Sequence, residues 1–163
     1  MSDVITESGM NFAADNTFHI EKSPLYAQIG GGVRSVEFVR SKGDKLLFVE
    51  AKSSFANPNN IDASNYAKFQ SAVEEVCEKF IHSLNMYASV EVGTANVPFP
   101  DSFQPPITAN LTFVLVVKGH EHGWCMPISE SLVEALPIYI KKIWRPTVYV
   151  VNQETAKKWH LIA

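Results

Sequence analysis

Two glutamates and a lysine interrupt a stretch otherwise suited to buried strands. In VEFVRSKGDKLLFVEAKSS (Val36 to Ser54), Glu37 opens one apolar run, and Glu50 and Lys52 close the next. Gly43-Asp44 between them is a two-residue hairpin signal, with glycine free to take positive φ at the first central position. That loop makes Lys42 face Lys45, Glu37 face Glu50 and Ser35 face Lys52. Side chains alternate along strands, so Glu37, Val39, Leu46, Phe48, Glu50 and Lys52 share one face, while Val36, Phe38, Val49 and Ala51 form an apolar face opposite. A loop of odd length would slip the register and part the two glutamates. Like charges opposed across a ladder destabilise it, and neighbouring carboxylates resist joint ionisation. A divalent cation relieves both, because Mg²⁺ binds through one or two carboxylates together with water and phosphate oxygens. Lys52 stands where its amine could orient a water or steady charge developing on a phosphate. The other reading of these residues is a solvated face of an antiparallel sheet with Lys52 as a surface partner. Val39, Leu46 and Phe48 on the same face weigh against it.

The surrounding elements must hold that hairpin. Residues 1–11 read as flexible, and TFHIEK (Thr17 to Lys22) as a strand by the alternation of Phe18 and Ile20. Ser23 caps a short helix with Pro24 at its first position, and Gly30 to Gly32 end it. FANPNNIDASN (Phe55 to Asn65) is a polar loop. From Asp62 to Ser89 a long amphipathic helix carries Tyr66, Phe69, Val73, Val76, Cys77, Phe80, Leu84 and Tyr87 at helical spacing, capped by Asp62 or Ser64. Glu74, Glu75, Glu78 and Lys79 fall outside that stripe. A long connection containing Pro98, Pro100, Pro105 and Pro106 follows, of a kind that often carries function or moves. NLTFVLVVKG reads as a buried central strand, EHGWCMPI as an edge strand or loop, and SESLVEALPIYIKKIW as a helix capped by Ser129 and interrupted at Pro137. PTVYVVNQ is a last buried strand, before a short terminal helix or tail. The pattern predicts one α/β domain over 1–163, a sandwich with a mixed central sheet.

Two further groups invite chemistry. His120 and His122 in GHEHGW would share a face in a strand and could hold a transition metal; in a glycine-flanked turn they are a polar loop. Lys141, Lys142, Arg145, Lys157 and Lys158 lie near Trp144 and Trp159, which suits a nucleic-acid surface, or equally a solvated basic face over packed tryptophans. Cys77 lies on the apolar stripe and reads as core. Gly30-Gly31-Gly32 precedes a strand, whereas a phosphate-binding glycine loop follows one.

Glu37 on one strand of the hairpin, Glu50-Ala51-Lys52 on the next, then the long helix and a buried strand resemble the PD-(D/E)xK nuclease-like superfamily. The resemblance covers about residues 17–118. It implies a restriction-endonuclease-like fold, Glu37 and Glu50 as metal ligands, and Glu37, Glu50 and Lys52 as the catalytic set. It also implies a further glutamate from a preceding helix, matched by Glu21 and, less closely, Glu7, and a glutamine on the following helix, matched by Gln70. The first acid is commonly an aspartate after proline, which Ser35-Val36-Glu37 lacks, and Glu74 stands where a tyrosine often follows the glutamine. The implied activity is hydrolysis of nucleic-acid phosphodiester bonds with Mg²⁺ or Mn²⁺, on DNA rather than RNA. The alternative is a catalytically silent nuclease-fold module, acting as a homodimer or a subunit of a larger complex.

Bulk properties agree with a folded chain. Of 163 residues, 46% are hydrophobic and 19% charged, enough for one packed core and too apolar for disorder. A net charge of −3 excludes a generally basic surface, so any nucleic-acid contact must be local. The longest apolar run, LTFVLVV, is too short to span a membrane. Two distant cysteines and a start, MSDVITESG, without the apolar run of a secretory signal predict a reduced, cytoplasmic protein with no membrane partner.

Overall fold

The computed structural model describes residues 3–58 and 62–163, so residues 59–61 of the expected polar loop lie outside the described residues. Five strands form a mixed sheet: β3 (Thr17–Phe18), β4 (Phe38–Lys42), β5 (Lys45–Lys52), β6 (Asn110–Val117) and β7 (Thr147–Asn152), in that spatial order. β3, β4 and β5 run antiparallel to one another, and β5, β6 and β7 run parallel. Each parallel step needs a crossover. The first is α2 (Ala63–Val92) and the second α3 (His122–Ala135). An α/β fold with a mixed sheet is what the sequence predicts.

Both faces of the sheet are covered. On one, α2 lays Val73, Val76, Phe80 and Leu84, and α3 lays Cys125, Ile128 and Leu132, over Phe48, Phe113 and Leu115. The Phe80 ring stacks on that of Phe113 with centroids 4.6 Å apart. Asp62 caps α2 by accepting the Asn65 N–H at 2.8 Å, and Gly93 ends the helix in the left-handed conformation. On the other face, a two-stranded hairpin of β1 (Val4–Glu7) and β2 (Met10–Ala13) packs Ile5, Met10 and Phe12 against Phe38, Val49 and Val114. Ala156 of α4 (Gln153–Lys158) and the tail residues Leu161 and Ile162 complete this layer. The ends of the chain meet there, with Ala13 N–H donating to the Leu161 carbonyl at 2.9 Å.

Four elements differ from the sequence reading. The start of the chain, expected to be flexible over 1–11, contains the β1–β2 hairpin, whose Ser8 and Gly9 both take positive φ as a tight two-residue turn requires. The strand expected over TFHIEK stops at Phe18, and Ile20–Lys22 form a 3₁₀ turn. EHGWCMPI is neither edge strand nor loop. It opens α3, because Cys125, Ile128 and Leu132 recur at helical spacing toward the core despite Pro127. Ser129 therefore lies inside α3 and donates to the Val148 carbonyl instead of capping. α3 stops before Pro137, with Leu136 extended as a residue preceding proline prefers, and a π-helical turn follows over Ile140–Trp144. The short helix α1 (Pro24–Ile29) is capped by Ser23 and ends at Gly30, as read. Among the described residues, no helix is long and apolar enough to cross a membrane.

Candidate functional site

The opening hairpin has the register its loop predicts, from Lys42↔Lys45 to Phe38↔Val49. Its ladder ends one residue short of Glu37. The Glu37 N–H donates to the Val49 carbonyl at 3.0 Å, although Val49 already lies opposite Phe38. That bulge-like departure reverses the expected side of Val36, which joins the core beneath α2 rather than the opposite face. Ser83 of α2 secures the turn by accepting the Val36 N–H on its Oγ at 2.8 Å. Val36 and Ser83 are fully buried, so Ser83→Ala strands a donor away from water. It is expected to cost about 1–3 kcal/mol, read as a lower urea midpoint at unchanged slope.

Glu50 has no solvent exposure and Glu37 is 8% exposed, so the solvated-face reading of this hairpin does not hold. The Glu37 carboxyl meets that of Glu50 and also that of Glu21, carried in by the 3₁₀ turn Ile20–Lys22. Three carboxyl groups, from the 3₁₀ turn, from the residue before β4 and from β5, thus converge. Among the described residues, nothing donates a hydrogen bond to Glu37 Oε2 or Glu50 Oε1. Cations close the other side. Lys79 Nζ pairs with Glu50 Oε2 at 2.5 Å and lies 3.8 Å from Glu75 Oε1. Lys52 Nζ donates to Glu75 Oε1 at 3.1 Å. Arg34 bridges Glu75 and Glu78 at 3.6 Å each.

Electrostatics follow from that placement. Burial, then contact with Glu21 and Glu50, pushes the Glu37 carboxyl up to about 10, so it holds a proton at neutral pH. Burial also raises Glu50, against the pull of Lys79 and Lys52. Burial works against the charge on Lys79, but Glu50, Glu37 and Glu75 outweigh it and hold the amine above its ordinary value. Glu75 goes the other way: Lys52, Lys79 and Arg34 overcome its burial and keep it below the ordinary carboxylate value. A proton shared among packed carboxylates and one internal ammonium together balance the site.

The structure gathers Glu21, Glu37, Glu50 and Lys52. Gln70 stands apart: it is five positions before Glu75, about 140° round α2 from the face that carries Glu75 and Lys79. His120 lies in a turn and His122 begins α3, so the strand geometry that would align the two imidazoles is absent; His120 packs against the Trp124 ring instead. Thr147, two residues after Arg145, aligns with Thr112 and Leu47. Lys141, Lys142 and Arg145 therefore flank the end of the sheet where β5 begins, whereas Glu50 and Lys52 stand where it ends. Lys157 and Lys158 belong to α4 on the opposite layer, and Trp159 packs edge-on against Tyr149. Burial pushes the Cys77 thiol up to about 12, consistent with a core role.

Sequence reasoning missed Glu75 and Lys79 as members of the site. Each immediately precedes a buried stripe residue, Val76 and Phe80, so both flank the apolar face rather than oppose it. Four-residue spacing of opposite charges beside a stripe was the available signal. Arg34 carried none. Comparisons with protein-family models, with curated proteins and with solved structures find no match to this chain.

Proposed function

We propose that this protein is a metal-dependent nuclease-like hydrolase of phosphodiester bonds, with DNA as the preferred substrate. The carrying observation is the convergence of Glu21, Glu37 and Glu50, with undonated carboxylate oxygens, beside Lys52. The topology supports the same reading. An antiparallel β3–β4–β5 meander, a long helix and a parallel β6 are compatible with the element order of a restriction-endonuclease-like core, with Glu37 just before β4 and Glu50 and Lys52 near the end of β5. Two buried oxygens lacking donors are what a hard divalent cation requires, so the donor set fits Mg²⁺ or Mn²⁺ on Glu37 and Glu50, with Glu21 in reach. Such an ion supplies Lewis acidity toward a phosphate oxygen and a more acidic bound water. The chain's own groups do the rest. Glu50 orients the attacking water, and Lys52, on the same face two residues on, positions it and offset charge developing on the phosphate. Glu37 must give up its proton when a cation is bound.

Incubation with DNA or RNA and Mg²⁺ or Mn²⁺ tests this directly: cut DNA is expected, and every nucleic-acid form left intact under both ions sinks the catalytic reading. Thermal melts test the ion itself. Mg²⁺ at a hundredfold excess over its Kd is expected to raise the Tm by about 5–10 °C, and not in Glu50→Gln. Because Glu37 is protonated below about 10, the apparent affinity should climb as pH rises from 6.5 to 8.5.

One observation favours the second reading, a silent module that acts in an assembly. Lys79 already neutralises Glu50 from within the fold. In that case Mg²⁺ leaves the melt unchanged and Glu50→Gln melts no lower than the parent.

A further inference from the structure

A cavity of about 490 Å³ opens at the end of the sheet where β5 begins, away from the end that carries Glu50 and Lys52. Its size is that of a small-molecule site. Two cationic residues of β4 tie the C-terminal tail beside it: Arg40 Nη1 donates to the His160 carbonyl at 3.0 Å, and Lys42 Nζ to the Trp159 carbonyl. Leu47, Thr112 and Leu161 are buried in its lining. Two chemistries make up the rest. The Tyr149 and Trp159 rings meet edge to face with centroids 5.1 Å apart, and Tyr149, on the outer strand β7, stays 39% exposed. Lys42 and Lys45 stand opposite each other at the first pair of the hairpin, where like charges weaken the ladder. The carboxylates at this end are engaged elsewhere. Asp15 pairs with Arg40 at 3.2 Å, and Asp44 Oδ2 accepts from the Asn110 amide at 2.8 Å. Burial, then the neighbouring Arg40 and Lys45, hold the Lys42 amine below its ordinary value against the pull of Asp15.

We propose that this cavity binds a nucleotide, with its base against Tyr149 and Trp159 and its phosphate on Lys42 and Lys45. Every base offers a π-face to an aromatic side chain, whatever its identity. Lysine ammonium groups hold phosphate as point charges. Lys42 spends one of its three donors on the Trp159 carbonyl and keeps two for the ligand. A bare anion would leave the rings and the apolar lining unused, and a neutral ring would leave the two ammonium groups opposed. Lys141, Lys142 and Arg145 flank the same end of the sheet and add to its positive charge. The nucleotide is either free or one unit of a single strand, since both present the same base and phosphate. Binding here needs neither a metal ion nor cleavage, so it stands apart from the preceding reading.

Calorimetric titration of the full chain with AMP, in EDTA, decides it. One AMP per chain is expected, with adenosine and inorganic phosphate each weaker by about tenfold or more. Tyr149→Ala should weaken AMP by about 5–150-fold, the worth of one base–aromatic stack, and Lys45→Glu by about tenfold or more. Both side chains are exposed, so both variants should melt with the parent; if Tyr149→Ala melts early, Lys45→Glu carries the test. A short single strand of deoxyadenylates that binds tighter than AMP makes the natural source a strand, and one that binds no tighter makes it a free nucleotide; both uphold the site. No binding of AMP or of the strand at millimolar concentration overturns the proposal. So do adenosine binding as tightly as AMP and parent-like affinity in both variants. Affinity lost in Glu50→Gln but kept in Tyr149→Ala and Lys45→Glu would place the nucleotide at the carboxylate cluster and overturn it as well.

Discussion

Lys52→Ala is expected to lower Mg²⁺-dependent DNA cleavage by about 10²–10³-fold while leaving the fold intact, the scale seen when one preorganised charge is removed from a reacting centre. Both halves follow from where the side chain sits. Lys52 ends β5 on the face that carries Glu50, and its charge acts on the Glu50 carboxyl. Among the described residues it pairs directly with Glu75 alone, and both partners are partly exposed, so its loss should cost less than about 1 kcal/mol. Single-turnover rates at saturating Mg²⁺, taken with melting curves, separate the two effects. A variant that cuts as fast as the parent removes Lys52 from the mechanism. A variant that melts many degrees lower would instead make Lys52 a structural residue.

Lys79→Met should destabilise the protein by about 3–5 kcal/mol at pH 8, the usual cost of leaving a buried charge without its partner. Glu50 is completely buried, and Lys79 is the cation nearest to it. Burial already raises the Glu50 carboxyl above its ordinary 4.5 with Lys79 present, and removing the ammonium raises it further. A carboxyl raised in the fold binds its proton more tightly there than in the unfolded chain. Stability is therefore retained below about 4.5 and lost progressively as pH climbs toward the folded value. The penalty of Lys79→Met should shrink to below about 1 kcal/mol near pH 5. Adding Glu50→Gln should restore most of the stability at pH 8. Equal losses at pH 5 and pH 8 in urea titrations would assign the effect to packing of the lysine stem rather than to charge.

Much of the scaffold was legible because its signals are local. Gly43-Asp44 specified the hairpin register, Asp62 and Ser23 announced their helices, and the unbroken apolar run of β6 marked a strand covered on both faces. The failures have equally local causes. Short strands around Ser8-Gly9 carry too few apolar residues to stand out, yet Met10 and Phe12 become core once the C-terminal tail lies over them. Gly123 and Pro127 disguised the first turns of α3, whose helical form comes from burying Cys125 and Ile128 against the sheet. Strict alternation misplaced Val36 because a side-chain acceptor on α2, Ser83, competes for its N–H.

The sequence by itself determined the β4–β5 hairpin with Glu50 and Lys52 on one face of β5 and Glu37 entering β4, since a two-residue loop and a period of two permit little else. Only the tertiary structure decided that these groups are buried, that Glu21 joins them and Gln70 does not, and that Lys79 supplies the nearest cation. The physical reason is range. Register is settled by neighbours a few bonds away, whereas the protonation of a carboxyl depends on whatever packing brings within a few ångströms. Here that packing draws on residues from Glu21 to Lys79, brought together by a 3₁₀ turn, the β4–β5 hairpin and α2, whose mutual placement no local pattern encodes.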